Sequence, residues 1–207
     1  MLKKRLKKLF FQRENLLILL VFVLFFLFKT QFQNLIILSL DHIWLEGAIS
    51  KIFTYNYTGE LIGCEEVLKS QKILGDKSQL FYKSTTSVFF ILSLISYLFL
   101  LNRIKKHEKF DVLCWILLAL FSFHLFDAVQ FFLFHFDNLY QYVAEDKFLQ
   151  LLCLEYCISL VIALILFLKY MNTQTKINSI CIGIPSTYFG IVLWRNVGEL
   201  IMPINYL

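Results

Sequence analysis

The chain has 207 residues, of which 58% are hydrophobic and only 17% charged; an ordinary soluble domain is about 45–50% apolar and about 25% charged. The apolar excess is gathered into long runs, which excludes a soluble globular class and indicates a polytopic integral membrane protein. The net charge of +5 does not point to nucleic acid, and no nucleic-acid partner is expected, because the basic residues gather at the edges of the apolar runs.

In chain order, residues 1–14 form a basic cytoplasmic tail. The first span is expected over residues 15–28, with an apolar core of 13 residues from Leu16 to Phe28 and with Arg13 and Lys29 snorkelling at its ends. A basic region before a short apolar core resembles a signal peptide, but no small-residue cleavage site follows, so an uncleaved anchor is the expectation. Residues 34–53 stack Ser39, His42, Glu46 and Ser50 on one helical face against an apolar remainder, the pattern of an amphipathic helix that lies in the interface or re-enters it. The polar stretch that follows is punctuated by Gly59, Gly63 and Gly75, and Glu65–Leu74 reads as a short helix supported by Glu65 and Lys69 four apart. Asn56-Tyr57-Thr58 is a formal glycosylation sequon.

A helical span needs about 20 apolar residues, with a range of about 17 to 25. Four further spans meet that requirement, at residues 84–101, 110–136, 148–168 and 177–194. With five spans, the parts on the side of the N-terminus (residues 1–15, 102–111 and 169–176) carry twelve basic against three acidic residues, and the rest of the chain eight against twelve. A sixth span at 34–53 would place the loop RIKKHEK outside, against the positive-inside rule. The expected fold is therefore all-α, one membrane domain with five transmembrane helices plus one amphipathic interfacial or re-entrant helix. The expected location is the bacterial inner membrane, with a cytoplasmic N-terminus, an extracytoplasmic C-terminus and an extracytoplasmic segment at 30–83.

Cysteine chemistry is not indicated. Cys114, Cys153, Cys157 and Cys181 lie in apolar segments and read as small buried hydrophobes. Cys64 is alone in its polar loop, and Cys153 and Cys157 lack the spacing of a redox motif.

The polar residues inside the spans point most directly to a site, because an ionisable side chain in lipid costs roughly 2.5–3.5 kcal/mol on insertion scales. His124 and Asp127 share a helix face, Asp127 roughly 13 Å and Glu155 roughly 10 Å below the outer surface at 1.5 Å per residue. His135 lies near the outer rim of that face, and Arg195 and Glu199 at the outer end of the last span. Imidazole beside carboxylate suits acid–base work, proton transfer or a zinc or iron site, so His124, Asp127 and Glu155 are candidate catalytic or metal-ligating residues. Arg195, His135 and Glu199 are candidate substrate-binding residues, Arg195 as an anion clamp. The same polar groups also serve as glue between helices. His42 and Glu46 fit a solvated face.

No complete catalytic motif accompanies them: His42-x-x-x-Glu46 lacks the second histidine of HExxH. Three functions remain open. They are a non-enzymatic subunit docking membrane-protein partners through lipid-facing helices and residues 30–83, an enzyme acting on a lipid or lipid-linked substrate at the outer leaflet, and a proton-coupled carrier.

Overall fold

The computed structural model describes residues 13–47, 56–59, 76–106, 110–139, 143 and 147–202. Among these every regular element is helical: α1 (Arg13–Val23), α2 (Phe25–Trp44), α3 (Asp76–Lys106), α4 (Val112–His135) with a 3-10 turn at Phe136–Asn138, α5 (Lys147–Ile165) ending in a π-helical turn at Leu166–Tyr170, α6 (Thr173–Asn178), a second π-helical turn at Ser179–Gly183, and α7 (Ile184–Ile201). Five helical stretches are long and apolar enough to cross a membrane: Asn15–Trp44, Ser84–Lys106, Val112–His135, Lys147–Tyr170 and Thr173–Ile201. The expected number of such segments is therefore met.

The first of them differs from the sequence-based boundary. The helix does not stop at Phe28 but continues through α2 to Trp44, absorbing the first half of the expected amphipathic helix. Residues 15–44 contain no glycine or proline, so nothing local breaks the hydrogen-bond ladder. The polar residues that suggested an end are buried instead. Thr30, Asn34 and Asp41, spaced like one helix face, are all inside, and Lys29 is 5% exposed rather than snorkelling. Phe28, Phe32, Leu35 and Ile43 point outward. A soluble amphipathic helix has the opposite arrangement, and apolar-out with polar-in is what a lipid solvent selects.

The helix ends where Glu46 and Gly47 take positive φ, with the Leu45 and Gly47 N–H groups both donating to the Asp41 carbonyl. His42 and Glu46 are exposed, in keeping with a solvated face. Residues 48–53 of the expected amphipathic helix, with Ser50, lie outside the described residues, as do the expected short helix at 65–74 and Cys64.

The last span is also longer than expected, because the helix continues past Trp194 to Ile201. Before Pro185, which has no N–H to give, it widens into the π-helical turn in which Ile184 N–H reaches Ser179 O.

The chain divides into two compact units. The first holds residues 1–21 and 89–185. In it α4 and α5 pack antiparallel: Ala128 meets Leu152 and Tyr156 in a core flanked by Phe131, Phe132, Phe148 and Leu149, while His124, one turn earlier, meets Ser159, further along α5. The first-unit part of α3 joins them through Ser93, whose hydroxyl donates to Phe121 O at 3.0 Å, and through an edge contact of Phe89 with Phe123. Asp111 caps α4 by accepting from Cys114 N–H at 3.0 Å and also receives the Arg103 guanidinium.

The second unit holds residues 22–88 and 186–207. Here α7 buries Ser186, Gly190, Trp194 and Gly198, one residue in four along a single face. Small residues at that spacing let backbones approach. A Cβ on Gly190 would lie 2.2 Å from the Val23 carbonyl oxygen.

Candidate functional site

His124 lies in the first unit on the face that α4 turns to α5. It is 1% exposed, and its Nδ1 shares a hydrogen bond of 2.8 Å with the Ser159 hydroxyl. Its ring contacts Phe90 of α3 at 5.2 Å and Tyr156 of α5 at 4.9 Å between centroids. The aromatic series goes on from Tyr156 to Phe131 at 5.2 Å and from Phe131 to His135 at 5.1 Å. Positions 124, 127, 131 and 135 recur every three or four residues, so one face of α4 carries both histidines and Asp127.

Glu155 is buried and Asp127 half-buried, and both lie within electrostatic range of Tyr156. The first unit thus carries His124, Asp127 and His135 on one face of α4, as their spacing predicts, and Glu155 on α5 beside Tyr156. Ser159, Tyr156 and Phe90 complete the surroundings, and sequence reasoning missed them. Ser159 was detectable as the polar residue one turn beyond Glu155, but which face of α4 met it depended on helix rotation.

One expectation changes. Among the described residues no group of three or more His, Cys, Asp or Glu stands in a metal-holding arrangement, so His124, Asp127 and Glu155 are not gathered as a ligand set. Arg195 and Glu199 are expected at the outer end of the last span. They sit on continuing helix α7, in the second unit, with exposed side chains.

The second unit contains a polar knot of its own. Asn34 of α2 donates through Nδ2 to Asn56 O at 2.8 Å. Asn56 Oδ1 in turn accepts from Thr58 N–H, the Thr58 hydroxyl and Gly59 N–H, at 3.1, 2.7 and 2.8 Å. Gly59 has φ of 72°, and a Cβ there would be 2.7 Å from Thr30 O, so turn geometry and close approach both require glycine. The Trp194 indole N–H is shared between the Thr30 hydroxyl at 3.1 Å and Tyr57 O at 2.8 Å.

The sequon reading is corrected here. Asn56 is 3% exposed, with its side-chain oxygen fully engaged, so the folded protein does not present it for modification. The segment Asn-Tyr-Thr-Gly is a tertiary clasp.

Outside the spans, Asp111 is the ionisable group with the clearest perturbation: the Arg103 guanidinium hydrogen-bonded to it holds its carboxyl well below the usual carboxylate range.

No family model, curated protein or solved structure matches this chain.

Proposed function

We propose that the chain is a multi-pass membrane protein serving as a non-catalytic subunit of a membrane complex, in a bacterial inner membrane with the N-terminus cytoplasmic and the C-terminus outside. The observation that carries the reading is the use made of His124. The deepest histidine of the spans is joined to Ser159 on the neighbouring helix and enclosed by aromatic rings, an arrangement that fixes the α4–α5 seam. Polar contacts of this kind contribute about 0.6–2 kcal/mol to helix association.

The outward surfaces support docking in the bilayer plane. Phe134 is 79% exposed and Leu200 84%, among many large apolar residues facing out. Such surfaces suit lipid and membrane-protein partners alike. The orientation rests on the distribution of basic residues, twelve of twenty lying in the three segments assigned to the cytoplasm.

Extraction from native membranes in a mild detergent tests the reading. The expected result is a particle well above the 24.6 kDa chain with another polypeptide in fixed ratio. Recovery only as a stable lone monomer overturns it.

A second reading, a lipid-modifying enzyme of the outer leaflet, draws support from the closeness of Asp127 and Glu155 to Tyr156. On that reading Asp127→Asn with Glu155→Gln abolishes the cellular function while leaving abundance and assembly size unchanged. If function instead tracks abundance and assembly, the subunit reading stands.

A further inference from the structure

A second chemistry-bearing cluster lies in the first unit, away from His124. Helix α3 ends in Arg103, Lys105 and Lys106, and the π-helical turn that closes α5 carries Lys169 and Tyr170. Lys105 Nζ stands 6.0 Å from the centroid of the Tyr170 ring, and Lys169 Nζ stands 5.7 Å from the same centroid. Two ammonium groups, one from α3 and one from the turn that closes α5, therefore stand within about 6 Å of one aromatic ring. Both lysines are exposed.

The two like charges repel each other, weakly where water screens them, and an anion held by both relieves that repulsion. The carboxylate of this end among the described residues, Asp111, is already held by Arg103 and by Cys114 N–H. The turn that presents Lys169 and Tyr170 is itself built. Met171 N–H donates to Leu166 O, Lys176 Nζ donates to Leu168 O at 3.2 Å and covers Phe167, and Asn172 caps α6. Lys176 is thereby committed to shaping the turn, while Lys105 and Lys169 point their charge outward.

We propose that Lys105, Lys169 and Tyr170 form a binding site for the headgroup phosphate of an anionic phospholipid. Three features fit that ligand. The two ammoniums supply point charges and hydrogen-bond donors suited to phosphate. Tyrosine at the end of a span sits at headgroup level and brings a hydroxyl donor. Basic sites between transmembrane helices on the cytoplasmic side recognise anionic headgroups. The inference rests on the membrane reading and its orientation. It goes beyond the general role of basic residues in topology by assigning a defined two-helix site rather than a diffuse field.

The test uses the full chain, purified in dodecyl maltoside and first reconstituted into phosphatidylcholine vesicles. Failure to insert there removes the membrane reading itself and the site with it. For protein that inserts, binding of phosphatidylglycerol is measured in mixed micelles by native mass spectrometry and by the rise in unfolding temperature, with phosphatidylcholine and inorganic phosphate as separate arms.

The expected result is selective retention of phosphatidylglycerol, with affinity lowered roughly fivefold by Lys105→Gln or Lys169→Gln and roughly 25-fold by both. Lys105→Arg with Lys169→Arg restores retention, which guards against a folding defect. Lys147→Gln, at the start of α5, leaves it unchanged. Equal retention of the two lipids by the wild type, or full retention of phosphatidylglycerol by the double Gln variant, overturns the proposal. So does displacement of the lipid by millimolar inorganic phosphate, which assigns the site to a free anion. Loss of selectivity only after removal of a co-purifying acidic polypeptide overturns it as well.

Discussion

Gly190→Ala adds one methyl group and should destabilise the protein, although alanine is the better helix former. The added Cβ would lie 2.2 Å from the Val23 carbonyl oxygen and 2.9 Å from both its carbonyl carbon and its Cα. Carbon in ordinary contact keeps about 3.5–4.0 Å from its neighbours, so the backbones must part by roughly 1 Å. All three obstructing atoms are backbone, and no side-chain rotation relieves them. Overpacking of this kind costs about 1–3 kcal/mol, and the gain in helix propensity returns about 1 kcal/mol at most. Because the obstruction is backbone, the cost lies in the upper part of that range, about 2–3 kcal/mol, and the net loss is about 1–2 kcal/mol, read from unfolding in mixed micelles of increasing dodecyl sulfate content by tryptophan fluorescence. Val192→Ala, on the exposed side of the same helix, should stay within about 0.5 kcal/mol of wild type. A Gly190→Ala protein as stable as wild type, or more so, refutes the close approach at Val23 and the role of the buried α7 stripe.

Trp194→Phe removes the indole donor from the buried Thr30 hydroxyl and from the part-buried Tyr57 O; the expected cost is about 1–3 kcal/mol, with faster proteolysis around residues 56–59, and unchanged protection there counts against the clasp. A double-mutant cycle of His124→Leu and Ser159→Ala should give a coupling of about 0.5–1.5 kcal/mol, whereas additive losses would mean the two residues do not stabilise the seam together. For Asp111 the folded pKa is depressed, chiefly by the Arg103 hydrogen bond, so its contribution is complete above the ordinary carboxylate value near pH 4 and is lost as pH falls further toward the folded value. The wild-type unfolding temperature should therefore fall on acidification below about pH 4 more steeply than that of Asp111→Asn, and parallel profiles would remove the ion pair from the account.

The number of long apolar helices was legible because hydrocarbon thickness sets a length that composition alone reveals. Their ends were not. Lys29 and Asn34 read as the edge of a membrane segment only on the assumption that polar residues face water. In α2 they face the protein, where Asn34 meets the Asn56 carbonyl, 22 positions further along the chain. No local pattern encodes that partner. The face shared by His124, Asp127 and His135 followed from helical spacing, and the antiparallel pairing of α4 with α5 followed from their short connection. The committed Nδ1 of His124 did not follow, because it depends on the rotation that brings Ser159 opposite. The stripe Ser186, Gly190, Trp194 and Gly198 was present in the sequence at a regular interval of four, but a glycine signals close packing only once the opposing backbone is known.

These particulars change how the polar residues within the long apolar helices bear on function. Polar groups deep in lipid are costly, and each needs either a partner that stabilises the fold or a ligand that justifies the expense. In the second unit Asn34, Asn56, Thr30 and Trp194 are tied by hydrogen bonds into a clasp spanning three separated stretches of chain. In the first unit the Ser159 hydroxyl satisfies one side of His124. Both arrangements use buried polarity to join segments that lipid alone would not order, since apolar helices gain little from exchanging lipid for one another. Arg195 and Glu199 on α7 of the second unit, and Lys105 and Lys169 in the first, are instead exposed. Exposed charge beside apolar surface is positioned to meet molecules from outside the fold, and that contrast directs the search for ligands away from His124 and toward the helix ends.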